Sequence, residues 1–132
     1  MSTPRILVAD DHPQVLASLC RLLEEVGIVV GAVEDGRTAV AEALRLRPNV
    51  VVLDVMMPGM SGLNAAKMLR RDAPEIKVIL CTVNVEPGMV AEAFAAGAVG
   101  FVRKQSAYAD LAPAIRAAMA GETFVSRAAR RP

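Results

Sequence analysis

The chain predicts a doubly wound α/β domain, a five-stranded parallel sheet of order 2-1-3-4-5 with helices on both faces. Three observations point to it. Short apolar runs start roughly every 21–27 residues, the spacing of βαβ units. Each gap holds a stretch whose apolar residues return at three- and four-residue intervals, the period of an amphipathic helix. The segments share no motif, so this is a layered fold and not a sequence repeat. Right-handed crossovers then make the sheet parallel, and the strand order reverses between the first and third strands.

The first strand is Arg5-Ile6-Leu7-Val8-Ala9, ending at Asp10-Asp11-His12-Pro13. Pro13 suits the first position of a helix, where its missing N–H costs nothing. Val15, Leu16, Leu19, Leu22, Leu23 and Val26 line that helix, and Gly27 ends it. Ile28 to Val33 is the second strand. Asp35-Gly36 opens a helix with Val40, Ala43 and Leu44 inward, and Pro48 closes it. Val50-Val51-Val52-Leu53 runs straight into Asp54 and then Met56-Met57-Pro58-Gly59, which reads as a strand buried on both faces with a carboxylate at its tip. Ser61 is the expected N-cap of the next helix. Ile76 to Cys81 forms a fourth strand ending at Thr82. Pro87 starts a short helix that Gly97 stops, and Val99 to Arg103 forms a fifth strand with Lys104 at its end. Leu111, Ile115 and Met119 mark a last helix, expected to begin near Asp110 so that Pro113 falls in its first turn. Residues 123–132, basic and Ala-rich, read as tail or linker.

Composition narrows the function. Lys plus Arg number 15 against 14 Asp plus Glu, so net charge gives no argument for nucleic acid or membrane. No apolar run approaches the ~18 residues of a membrane span, and Met1 to Arg5 lacks the apolar core of a signal peptide. Cys20 and Cys81 have no metal-ligand spacing and read as reduced, buried thiols of a cytoplasmic protein.

In a doubly wound sheet all strands end at one edge. Asp10 and Asp11, Asp54, Thr82 and Lys104 therefore share a rim beside the switch point. Any one of them alone reads as a solvated loop residue. Five of these types in this order do not. Three close carboxylates repel unless a cation is present, and their oxygens suit a hard divalent ion, Mg²⁺ or Mn²⁺. His12 has no second histidine to join it and reads as a loop residue. Lys104 and Thr82 supply the ammonium and hydroxyl that a phosphoryl group needs. The set describes a phosphoryl-transfer site with a carboxylate acceptor.

With Asp10-Asp11, Asp54-x-x-Met57-Pro58, Gly62, Thr82 and Gly100-Phe101-Val102-Arg103-Lys104 in order over nearly the whole chain, the sequence resembles the receiver domain of bacterial response regulators, a flavodoxin-like (βα)5 fold. Ala9-Asp10-Asp11-His12-Pro13 and Ala120-Gly121-Glu122-Thr123-Phe124-Val125-Ser126 further resemble the NarL/FixJ-type subgroup. The resemblance implies a phosphorylation switch of a two-component system and not a metabolic enzyme, though one that assists its own phosphotransfer and dephosphorylation. Asp54 would accept a phosphoryl group from a sensor histidine kinase. Asp10, Asp11, Asp54 and the Met56 carbonyl would hold Mg²⁺, with Lys104 and Thr82 on the phosphoryl oxygens. Thr82 and Phe101 would relay the change to the 85–105 surface, with homodimerisation on phosphorylation. The receiver would span 1–122, followed by a linker to a helix-turn-helix DNA-binding domain that this chain does not include. For Phe101, plain core packing stands as an equal reading.

This sequence departs from the family at three places. Gln105 stands where many receivers have Pro. Val83 replaces a small residue and is expected, with Met56 and Asn84, to shield the phosphoryl site from water. Pro113 lies on the helix that receivers often use for dimers. Rival readings fit less well. A flavodoxin-like cofactor binder needs a phosphate loop where Asp10-Asp11 stands, and a haloacid-dehalogenase-type phosphatase needs a second Asp where Met56 stands. A stand-alone receiver, or a receiver-like scaffold that is never phosphorylated, remains the alternative.

Overall fold

The computed structural model of the chain describes residues 3–130. Strand β1 (Arg5–Ala9) leads to helix α1 (Pro13–Glu24), followed by β2 (Ile28–Val33), α2 (Gly36–Leu46), β3 (Val50–Asp54) and α3 (Gly62–Asp72). Then come β4 (Lys77–Thr82), α4 (Met89–Ala95), β5 (Gly100–Arg103), a 3₁₀ turn (Lys104–Ser106), α5 (Ala107–Met119), β6 (Phe124–Val125) and a second 3₁₀ turn (Arg127–Arg130). The strands pair in the order 2-1-3-4-5-6, every pair parallel.

Alternation along each strand divides the core into two layers. Ile6, Val8, Val50, Val52, Ile79, Cys81 and Val102 face α1 and α5, while Leu7, Ala9, Val51, Leu53, Val78, Leu80 and Phe101 face α2, α3 and α4. The central strands therefore bury both faces and read as unbroken apolar runs. All five residues of β3 are buried, and each Val or Leu so placed contributes about 1.5–3 kcal/mol of transfer free energy. Asp54 thus stands at the end of a strand buried along its whole length. Asp35 caps α2 by accepting from the Thr38 N–H at 2.8 Å, and Ser61 caps α3 by accepting from Asn64 at 3.2 Å.

The structure corrects three expectations. First, α5 begins at Ala107 and not near Asp110, so Pro113 sits inside the helix. Leu111, Ala114, Ile115 and Ala118 on its buried face hold the helix together through the missing hydrogen bond. Second, Pro87 does not start α4. Glu86 and Met89 close a turn, and Gly88 takes a left-handed φ of 84°, which postpones the helix to Met89. Third, the sheet has six strands, because Phe124–Val125 joins the edge of β5 where the sequence predicts tail. The basic residues around this pair hide it, yet the Phe124 and Ser126 amides find acceptors on Val99 and Phe101. Arg131 and Pro132 of that predicted tail lie outside the described residues.

Candidate functional site

Strands β1 and β3 lie side by side at the point where the order reverses, and their ends bring Asp10 and Asp54 together. Both carboxylates are buried, and one cation serves them. The Lys104 Nζ donates to Asp54 Oδ2 at 2.8 Å and forms an ion pair with Asp10 Oδ2. The remaining oxygens are held by backbone. The His12 N–H donates to Asp10 Oδ1 at 2.9 Å, and the Met56 N–H donates to Asp54 Oδ1 at 3.1 Å. Each loop thus folds back on its own strand-end acid, which fixes the carboxylate planes.

Electrostatics follow from burial. Loss of water pushes the Asp54 carboxyl above the usual carboxylate range, and the bonds from Lys104 and Met56 pull it back only partly. Burial also works against the Lys104 charge. The hydrogen bonds and charges of Asp10 and Asp54 outweigh it and hold the ammonium above its ordinary range. Cys81, on the same strand as Thr82, is pushed up to about 12 by burial and so stays a thiol.

Asp10, Asp11, His12 and Asp54 each place one ligand atom within 4.8 Å of the others. Asp11 Oδ1 is shielded from solvent without a hydrogen bond, and His12 Nδ1 lies 3.1 Å from it. An orphaned carboxylate oxygen among oxygen donors is what a hard divalent cation satisfies, so the residues present fit Mg²⁺. The His12 ring is 68% exposed on the loop, as expected of a residue outside the core of the site.

A cleft of about 170 Å³ opens above Asp54, lined by His12, Met56, Thr82, Val83, Asn84 and Lys104. Thr82 is buried in its wall, and Met56 (69% exposed) and Val83 (47%) form its lips. Of the residues expected to share a rim, Asp54, Thr82 and Lys104 line this cleft and Asp10 and Asp11 lie beside Asp54, whereas Phe101, expected as the relay, is fully buried. Sequence reasoning missed two contacts. The Gln105 amide donates to the Val83 carbonyl at 3.1 Å, tying the 3₁₀ turn to the cleft lip. The Ser126 hydroxyl donates to Asp110 and accepts from the Arg103 N–H at the end of β5. Neither contact has a spacing signal, since each joins residues far apart in the chain.

An acid cluster bridged by a lysine at the carboxyl edge of a doubly wound sheet defines the class of phosphorylation-switched signalling domains. The chain belongs to the response regulator receiver domain family, whose model matches residues 6–116. It is 39% identical over 124 residues to response regulator GacA of Pseudomonas viridiflava, an alignment that covers 92% of this chain and 58% of GacA. The chain thus spans somewhat over half the length of that relative. Among solved structures it resembles a LuxR-family two-component response regulator from Aurantimonas, with a TM-score of 0.93 and 32% identity over 98% of this chain and 94% of that one. The isolated receiver domain of RcsB from Salmonella enterica, determined with the phosphomimetic beryllofluoride, gives a TM-score of 0.90 and 30% identity over 98% of both chains. RcsB has also been seen in complex with DNA. These relatives agree with the NarL/FixJ-type subgroup expected from the sequence. No helix among the described residues is long and apolar enough to cross a membrane.

Proposed function

We propose that Asp54 is the phosphoacceptor of this receiver and that the donor is a phosphohistidine on a sensor kinase. The observation that carries this reading is the contact of Lys104 with two buried carboxylates at the floor of an open cleft. A carboxylate oxygen of Asp54 attacks phosphorus, the P–N bond to the donor histidine breaks, and an acyl phosphate forms. Lys104 follows the charge onto a phosphoryl oxygen, and the Thr82 hydroxyl donates to another. Asp10 and Asp11, with Asp54 and the Met56 carbonyl, would hold Mg²⁺ (or Mn²⁺), which would supply positive charge to offset that of the phosphoryl group. Met56 and Val83 narrow the approach, which suits a protein-borne donor and slows attack by water.

The new group adds about −1.5 to −2 charge at pH 7. Thr82 moves toward it, and Phe101 and the 85–105 surface form the two-state element that this charge biases. The burial of Phe101 in this structure fits both a switch in its inward position and simple packing. A cytoplasmic location, phosphorylation-driven homodimers and control of a DNA-binding output domain follow from kinship with regulators such as GacA and RcsB. The receiver unit expected over residues 1–122 is extended by β6 and Ser126 on the edge of its sheet, and the segment after them leads to the output domain.

Incubation with acetyl phosphate and Mg²⁺, read by intact mass, tests the assignment. Wild type gains one phosphoryl group and Asp54→Asn gains none. Equal modification of both would move the acceptor elsewhere. No modification of either would favour the unphosphorylated scaffold.

A further inference from the structure

Strand β5 carries more than the sheet. On one side Arg103 stands in register with Thr82, and its next residue is Lys104. On the other side β6 runs alongside it: the Phe124 N–H donates to the Val99 carbonyl at 3.0 Å and the Ser126 N–H to the Phe101 carbonyl at 2.8 Å. The next rung of a parallel ladder would take the Arg103 N–H to the Ser126 carbonyl, but the chain there turns into the 3₁₀ segment Arg127–Arg130 and that carbonyl accepts from the Ala129 N–H at 2.9 Å. The Ser126 side chain takes that rung. Its Oγ accepts from the Arg103 N–H at 3.1 Å and donates to Asp110 Oδ2 at 2.6 Å. The directions are fixed, because an amide donates and a carboxylate accepts. Ser126 is fully buried, so water cannot replace it.

Lys104 therefore sits between two anchors set by one hydroxyl: the end of β5 at Arg103 and the first turn of α5 at Asp110. We infer that Ser126, oriented by Asp110, is a positioning residue for Lys104, so that the segment after α5 belongs to the phosphoryl site. The inference rests on the phosphoacceptor reading above. It also gives that segment a direct view of the site, since coupling works both ways: what steadies Lys104 for a phosphoryl group is itself steadied when the group is bound.

Calorimetric titration of the full chain tests it, using Mg²⁺ alone and then beryllofluoride at saturating Mg²⁺. Lys104 would contact the phosphoryl oxygens directly, whereas it meets the metal only as a competing charge, and Ser126→Ala leaves that charge in place. Ser126→Ala is expected to weaken beryllofluoride by about fivefold, the low end of ordinary coupling between sites, with Mg²⁺ affinity held within about twofold. Asp110→Ala should do the same, whereas Asp110→Asn keeps an acceptor for the hydroxyl and should bind as wild type does. A merely structural role would lower both affinities in parallel, and that result overturns the inference, as does wild-type beryllofluoride binding in both alanine variants. If wild type itself fails to bind beryllofluoride, the phosphoacceptor reading falls and takes the inference with it.

Discussion

Replacing Gly62 by Ala tests how the fold holds Asp54. Gly62 opens α3, and its N–H donates to the Val55 carbonyl at 2.9 Å. The constraint there is one of space. An added Cβ would lie 2.9 Å from the Asp54 carbonyl carbon, 3.0 Å from Val55 Cα and closer still to the Asp54 carbonyl oxygen, where ordinary contact begins at 3.4 Å. These are backbone atoms, so no side-chain rotation relieves the clash. Either α3 or the tip of β3 must give by about half an ångström or more, and overpacking of this kind costs about 1–3 kcal/mol. For a domain of this size each kcal/mol lowers Tm by about 3–5 °C. The shift falls on the acceptor's own residue. A 1 Å misplacement costs about 100-fold in rate, and half of that is expected to slow acetyl-phosphate labelling by about tenfold. Thermal unfolding and time-resolved intact mass measure the two effects. An Ala variant that melts and labels like wild type would refute the idea that α3 is seated directly against the acceptor.

Four further outcomes rest on the same geometry. Lys104→Met leaves Asp10 and Asp54 buried without their cation, an expected loss of about 3 kcal/mol in chelator; Mg²⁺, freed from competition with the ammonium, should bind more tightly and restore much of it, and urea melts with and without metal decide. Because the folded-state Asp54 carboxyl titrates above its unfolded value, its contribution to stability is full below the unfolded pKa and lost as pH rises through the folded one; Asp54→Asn should therefore melt higher than wild type at pH 7, with the gap closing near pH 3. A gap of opposite sign at neutral pH would contradict that assignment. Val83→Ala opens the cleft lip and should speed acyl-phosphate decay by roughly two- to fivefold, about 0.4–1 kcal/mol of barrier, and equal decay rates would remove any shielding role. Pro113→Ala restores the N–H missing inside α5 and should raise stability by about 1–2 kcal/mol, checked by the shift in denaturation midpoint.

The sequence by itself determined the five βα units, their order and the chemistry of the rim. The reason is that buried strands leave apolar runs, and four of the five runs lead to a rim residue with a charge or hydroxyl: Asp10, Asp54, Thr82 or Lys104. Caps were equally legible, since Asp35 and Ser61 bond within three residues of themselves. Only the tertiary structure decided the rest. Whether Pro113 interrupts or joins α5 depends on packing of Leu111 and Ile115 against β-strand side chains, an energy that no local propensity contains. The sixth strand joins residues about 25 positions apart through backbone amides that every sequence possesses, and the Ser126–Asp110 side-chain bond spans 16 positions with no motif to mark it. Spacing foretold which side chains would reach the rim. The shared Lys104, bridging two carboxylates from different strands, needed the closed sheet to bring a residue 50 positions from Asp54 to 2.8 Å.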